Sequence, residues 1–359
     1  MRGVKIKNDD FKRIQDSLIF WYQINKRNLP WRQTNDAYCI WLSEIILQQT
    51  RVNQGLPYYV AFVETFPTLS HFANASLNQI LKLWQGLGYY SRARNMHEAA
   101  KQLIHNGGVF PADYNALLKI KGIGSYTAAA IASFAFNLPH AVVDGNVYRV
   151  LSRYFGIGTP INSAVGKKQF AELAQRMLPG QNSATYNQAI MELGALICKP
   201  EQANCKHCPL QLGCYANATK QLNLLPVKTA AKPVKKRYMY FVLFHDNERL
   251  YLKQRTDKDI WQNLYVLPYI ETATQQPIDK ILESKFLKEF MEQHDVTVTV
   301  HEKTITHKLT HQHLITQFVN CRVKKLPANN NYKLSNSRQL NNYAVPRLIE
   351  KYLTEQGWL

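Results

Sequence analysis

The sequence predicts two domains of different class: an all-α domain over residues 1–225 and an α+β domain over 238–359, joined by a basic linker at 226–237. Three observations carry this division. Apolar residues recur at helical spacing up to about residue 222, and no run there alternates with the two-residue period of a strand. Residues 226–237 hold two prolines and five basic side chains with little apolar content, as an exposed connector does. Beyond it come β-type runs punctuated by turn residues.

In the first domain Ile40, Trp41, Ile45 and Ile46 give one apolar face to a helix between Asp36 and Gln49. Ser76 and Gln79 have the spacing of a capping box that opens a helix ending before Gly86. Ser91 caps the next, which Gly107-Gly108 terminates. A short helix follows Asp113, then the turn Lys121-Gly122-Ile123-Gly124 and an alanine-rich helix over Tyr126–Phe136. Helices near 146–155 and 163–178 precede one over Tyr186–Ile197. In the second domain Tyr238–Phe244 and Leu250–Lys253 read as strands paired about the turn Asp246-Asn247. Val296–Val300 and Leu314–Val323 are further strands, and 278–293 is helical.

A formal net charge of +19 on 359 residues favours a polyanionic partner, DNA or RNA first and an anionic membrane surface second. No signal-peptide pattern and no apolar run of bilayer length is visible, so a soluble cytoplasmic protein without a membrane partner is expected, nucleoid-associated if bacterial. Four of the six cysteines crowd between 198 and 214, which points to metal rather than to disulfides. Cys39 and Cys321 stand apart among apolar or β-type residues and read as packed thiols. The spacing Cys198-x6-Cys205-x2-Cys208-x5-Cys214 admits Zn²⁺ or a 4Fe–4S cube. With one C-x2-C and unequal gaps on either side, the loop suits a cube that it wraps closely. Lys199, Lys206 and His207 add positive charge around it.

In the turn Lys121-Gly122-Ile123-Gly124 the glycines let the backbone approach a phosphate. The following helix N-terminus and Lys121 supply positive potential. Asp144 stands at an N-cap position, where it caps its helix. Glu44 interrupts an apolar helix. It reads either as an exposed helix glutamate or as a desolvated carboxyl with the raised pKa of a general acid.

The segment Leu118–Ala128 and the cysteine loop resemble the helix-hairpin-helix DNA glycosylases of the endonuclease III and MutY families. Leu29-Pro30-Trp31-Arg32, Trp41–Thr50 and Asn187–Gly194 are similar to MutY in particular. The resemblance is strong from Leu29 to Cys214 and weaker from 238 to 359. It implies a 4Fe–4S cluster on Cys198, Cys205, Cys208 and Cys214 that braces a DNA-contacting loop. It makes Asp144 the catalytic aspartate, with Asn146 beside it and Glu44 as the acid that protonates adenine N7. Tyr126 stands where bifunctional members carry the lysine that forms a Schiff base, so base excision without efficient strand cleavage is expected.

The same resemblance gives Trp31, Arg32 and Gln188 as walls of the base pocket, with backbone contacts at Lys121, Gly122 and Gly124. Leu87 and Tyr89, on a glycine-flanked loop, are a wedge for the vacated stack, and Gln49 is a partner for the orphaned base. Tyr89 and Tyr90 also fit as core aromatics. Asp259–Pro268 resembles a degraded Nudix signature, and the region after Pro268 lacks the clustered glutamates of a Nudix hydrolase. The α+β domain is therefore expected to be a Nudix-like reader of 8-oxoguanine through Thr310 and His311, with Leu309 replacing an aromatic and Thr310 a serine. The expected partner is duplex DNA carrying adenine opposite 8-oxoguanine or guanine, bound by a monomer. A thymine or pyrimidine mismatch glycosylase and a non-catalytic iron–sulfur DNA-binding or redox-sensing protein are the alternatives.

Overall fold

The computed structural model describes residues 8–230 and 233–359, which form two compact units. The first runs to Ala73 and resumes at Glu98 up to the linker; the second takes Asn74–His97 and the chain beyond the linker. Residues 74–97 thus join the α+β unit, although they are continuous in sequence with the helical one.

The first unit is helical because each helix presents one buried stripe. Along Asn8–Asn25, Phe11, Ile14, Leu18, Trp21 and Tyr22 recur every three or four residues. They pack on Val147 and Val150 of Gly145–Phe155, Phe170 and Met177 of Ala164–Met177, and Tyr186, Ile190 and Leu193 of Ser183–Leu196. A second cluster gathers around Trp41, whose ring lies 6.0 Å from Phe72 and 5.5 Å from Phe110. Trp41 belongs to the helix Ala37–Ile46, which packs on Ser125–Phe136. Every residue from Thr127 to Ser133 is buried there, and the small side chains of Ala128, Ala129, Ala130 and Ala132 let the two helices come close.

Asp36 caps Ala37–Ile46 by accepting from the Tyr38 N–H at 2.8 Å. The helix stops three residues short of Gln49, which adopts φ +61° in the following turn. In the second unit the Ser76–Gln79 capping box is formed and opens Leu77–Leu83. The next helix begins at Ser91 itself.

The second unit is built on a seven-stranded sheet. Its strands are β1 (Lys235–His245), β2 (Arg249–Gln254), β3 (Tyr265–Val266), β4 (Tyr269–Thr272), β5 (Val296–Lys308), β6 (Gln312–Val323) and β7 (Lys333–Asn336). The order is β3-β2-β1-β6-β5, with β4 also paired to β1 and β7 to β2. The central pair β1/β6 is parallel and the others antiparallel. β1 is buried continuously from Met239 to His245, as expected of a strand covered on both faces. On one face Tyr240, Val242 and Phe244 meet Ile281 and Leu287. On the other, Phe241 stacks on Phe318 and Phe318 on Tyr352 of the helix Arg347–Glu355, at 3.8 Å.

Two differences from the sequence reading have physical causes. β1 begins at Lys235, within the expected linker, because Lys235–Arg237 pair with Gln312–Leu314 of β6. Part of the linker, 231–232, lies outside the described residues. The preceding stretch is tied to the first unit, Ile161 N–H donating to Val227 O at 3.0 Å and Thr229 N–H to Asn162 Oδ1 at 2.9 Å. The expected helix over 278–293 is two, Ile278–Leu282 and Lys285–Gln293, broken at Glu283-Ser284. Among the described residues, no helix is long and apolar enough to cross a membrane.

Phe318→Ala removes the middle ring of the Phe241–Phe318–Tyr352 stack and should cost about 3–5 kcal/mol in equilibrium denaturation. Phe20→Ala, at a side chain 67% exposed, should cost less than about 0.5 kcal/mol. Equal midpoints for the two variants would show that the stacked layer is not a core.

Candidate active site

The first unit encloses a cavity of about 550 Å³. Trp31, Arg32, Glu44, Tyr126, Asp144, Asn146 and Gln188 all line it, brought from five separate segments of the chain. Glu44 reaches it from the buried face of Ala37–Ile46 and is only 7% exposed, so the exposed-glutamate alternative does not hold. Tyr126, in the first turn of Ser125–Phe136, donates its hydroxyl to Glu44 Oε2 at 2.6 Å. Asp144 caps Gly145–Phe155: its Oδ1 accepts from the Val147 N–H at 2.8 Å and its Oδ2 from Asn146 Nδ2 at 2.7 Å.

The two carboxyls are tuned differently. Burial raises Glu44 to about 7, helped by the nearby charge of Asp144, while the Tyr126 bond and Arg32 pull it down. Burial also raises Asp144, against bonds from Val147 and Asn146 and the charge of Arg149. Every hydrogen bond made to Asp144 is a donated one, which favours the carboxylate. Burial drives the Tyr126 phenol well above its ordinary value, so it stays a neutral donor.

Glu192, a fully buried carboxylate that the sequence reading did not single out, also lines the cavity. It accepts from the Arg27 N–H at 2.9 Å, from Arg27 Nε and Nη2 at 2.8 and 2.6 Å, and from Arg32 Nη1 and Nη2 at 3.0 and 2.8 Å. Burial alone would raise it, but these bonds bring it down to about 2. Gln188, one turn earlier on the same helix, accepts from the Tyr22 hydroxyl at 2.5 Å.

Two further arginines were also missed. Arg149 and Arg153 lie one turn apart on the buried face of Gly145–Phe155. Arg149 donates to Asn146 Oδ1 (2.8 Å), Gly194 O (2.7 Å) and Cys198 O (2.6 Å). Arg153 donates to Lys199 O and Pro200 O at 2.7 Å, to Leu222 O and Leu225 O at 3.1 and 3.0 Å, and to Cys198 Sγ at 3.4 Å. The legible signal was charge inside an apolar stripe, flanked by Val147, Val150 and Leu151.

Cys198, Cys205, Cys208 and Cys214 are gathered by the turns Cys205–His207 and Gln211–Gly213. Burial pushes Cys208 up to about 12, and the charges of Cys198, Cys214 and Cys205 add to the rise, so the four sulfurs lie within electrostatic reach of one another. A shared positive charge at their centre would relieve that repulsion, so this donor set fits a metal cluster. Among the described residues no group of three or more His, Cys, Asp or Glu is placed to hold a single metal ion.

The hairpin turn is anchored by buried Ile120 and Ile123, while Lys121 and Gly122 are exposed. Gly122 takes φ +75°, which only glycine adopts easily. Gly124 is the N-cap of Ser125–Phe136, has no side-chain cap, and a Cβ there would meet nothing within 4 Å.

The second unit has its own cavity, of about 570 Å³, lined by Leu87, Tyr89, Trp261, His307, Thr310 and His311 among others. Tyr89 is 40% exposed at φ +48° and its hydroxyl bonds to that of Thr310; Leu87 and Tyr90 are buried. The loop between them is closed by Trp84 Nε1 donating to Gly88 O at 2.9 Å. Gln49 is exposed, and it lines neither cavity. Glu271, one of the carboxylates after Pro268, is tied to Arg237 at 2.7 Å.

Residues 42–176 match the HhH-GPD superfamily of base excision DNA repair proteins, and 239–355 match the NUDIX domain. The chain is 32% identical over 348 residues to the adenine DNA glycosylase of Buchnera aphidicola subsp. Schizaphis graminum (strain Sg), covering 94% of this chain and 96% of that protein. A thermostable thymine-DNA glycosylase structure aligns with a TM-score of 0.55 at 30% identity, over 59% of this chain and 98% of the other. Endonuclease III, in a non-covalent DNA complex, shares the fold with a TM-score of 0.52 at 19% identity, over 60% and 99%. An HhH-GPD unit with two carboxyls in one cavity, followed by a Nudix-like unit, completes the correspondence: the chain belongs to the MutY-type adenine DNA glycosylases of base excision repair.

Proposed function

We propose that the enzyme hydrolyses the glycosidic bond of adenine paired with 8-oxoguanine, and with guanine, in duplex DNA. The observation that carries this reading is the convergence of Glu44, with its pKa near 7, and the donor-bound Asp144 on one cavity. A purine leaves readily once N7 is protonated, and a sugar cation forms readily beside an anion. Adenine, flipped from the stack, enters between Trp31, Arg32 and Gln188. Glu44 gives its proton to N7, the C1′–N9 bond breaks, and Asp144 faces the oxocarbenium sugar. Glu44, now a carboxylate, accepts a proton from the water that adds at C1′. Asn146 holds Asp144 in place, and the Arg149 bond to Asn146 Oδ1 keeps its amide nitrogen aimed at Asp144.

The product is an abasic site on an intact strand. A Schiff base needs an amine, and no lysine is among the described residues that line the cavity; the Tyr126 phenol is occupied with Glu44. Cys198, Cys205, Cys208 and Cys214 would hold the 4Fe–4S cluster, which, when bound, rigidifies the loop rather than entering the reaction. Lys121, Gly122 and Gly124 bind a phosphate. In the second unit Thr310 and His311, beside Tyr89, read the lesion base, and the enzyme acts as a monomer.

On duplexes carrying A opposite 8-oxoguanine, A opposite G, and T opposite G, excision should be fastest on the first and absent on the third, with breaks only after alkali. Strong breakage without alkali would overturn the Tyr126 argument, and preferred excision of thymine would overturn the substrate. Glu44→Gln should lower single-turnover excision by at least about 100-fold, the scale of a lost general acid. In the wild type the rate should fall as pH rises through about 7, because the acid is then deprotonated. A Glu44→Gln rate equal to wild type would end the assigned mechanism. Thr310→Ala should narrow the preference for 8-oxoguanine over guanine; unchanged discrimination would remove Thr310 from the reading role.

A further inference from the structure

Glu192 binds two guanidiniums at once, and both arginines line the cavity that holds Glu44. Its partners come from residues 27 and 32, about 160 positions away, so the pairing is a product of the fold alone. The carboxylate is 0% exposed, while the side chains of Arg27 and Arg32 are 32% and 14% exposed. Water therefore screens this trio poorly.

The chemistry makes the pocket's net charge matter. Protonated adenine and the oxocarbenium sugar are both cationic, and Glu44 must hold a proton at neutral pH. Two unmatched guanidiniums in the wall would oppose all three. We propose that Glu192 is a positioning residue that neutralises Arg27 and Arg32 electrostatically, so that Glu44 stays protonated and the pocket accepts a cation. This rests on Glu44 being the acid. The groups that face Glu44 are Tyr126, Asp144 and Arg32. Arg51 and Arg149 also line the cavity, and Tyr22 stands beside the Arg27–Arg32–Glu192 trio. Of the arginines in this wall, Arg27 and Arg32 are the two held by Glu192.

The sign is fixed. Removing the negative charge of Glu192 makes the field at Glu44 more positive, favours its ionised form, and lowers its pKa. The alkaline limb of the pH–rate profile then moves to lower pH, by on the order of one unit. Removing Arg27 instead makes the field more negative and moves the limb upward.

The experiment is single-turnover excision of adenine opposite 8-oxoguanine from about pH 5.5 to about pH 9 with the full chain, spanning the range in which a group near 7 titrates. Glu192→Gln should move the limb down, and adding Arg27→Gln should move it back. Glu192→Asp keeps the charge with altered geometry, so it should slow excision at every pH with the limb at its wild-type position. Arg27→Gln alone retains the Arg32–Glu192 bonds and should raise the limb, which keeps the test decisive where Glu192→Gln folds poorly. A uniform loss of rate in Glu192→Gln with the limb unmoved would overturn the proposal and leave Glu192 a structural clasp. Normal excision by Glu44→Gln would overturn the acid reading itself, a separate and recognisable failure.

Discussion

The buried guanidinium of Arg149 is the joint on which the active site depends. It donates to Asn146 beside the Asp144 carboxylate, to Gly194 O near the end of Ser183–Leu196, and to Cys198 O where the cysteine loop begins. Burying an arginine is costly unless its N–H groups are met, and here two of its four bonds go to carbonyls at a helix C-terminus, with favourable dipole orientation. The geometry is close: a Cβ on Gly194 would lie 2.5 Å from Asn146 Cβ, so only glycine lets the two helices approach enough for the arginine to bridge them. The cysteine loop is thereby attached to the N-cap at Asp144 through a single side chain. Arg153, one turn further on, repeats the device with the carbonyls of Lys199 and Pro200 and of Leu222 and Leu225. A cluster held by the four cysteines, as proposed, would therefore reach the carboxylate only through this bonded framework.

Burial raises both carboxyls, and their different partners decide how far each rise is offset. Glu44 has one donor, a phenol that is itself hard to ionise, so desolvation wins and the proton is retained near neutrality. Asp144 is met by the helix N-terminus and a side-chain amide, both of which favour the anion over the acid. In the proposed reaction one cavity would thus supply a proton donor and a cation stabiliser, the division of labour that glycosidic cleavage requires.

Much of this was legible in the sequence where the signal is local. The cap at Asp144, the capping box at Ser76, the hairpin glycines and the cysteine spacing all act over a few residues. The Asn8–Asn25 helix carries a clear three-and-four stripe, and it was readable though unassigned. What could not be read is long-range pairing. Nothing local joins Arg27 to Glu192, 165 residues on, or assigns residues 74–97 to the second unit. Nor did alternation reveal the start of β1, because Lys235–Arg237 are polar residues ordered by pairing with β6 rather than by burial. The left-handed turn that leaves Gln49 exposed likewise has no local signal in the sequence.

The charge of the molecule and the charge of its pocket run in opposite senses. A surplus of +19 draws a polyanion from solution and steers it over the surface, where the Gly124 end of the hairpin offers uncapped N–H groups. That same surplus, carried into the cavity, would oppose each cationic species that the proposed reaction makes. The fold separates the two requirements by burial. Lysines such as Lys121 are exposed, while Arg27 and Arg32 are bound to a carboxylate that no solvent reaches. Long-range attraction is summed over all the charges, whereas the pocket responds to the few that water does not screen. A strongly basic protein can therefore favour a cation at its centre, provided that its innermost arginines are the ones already paired.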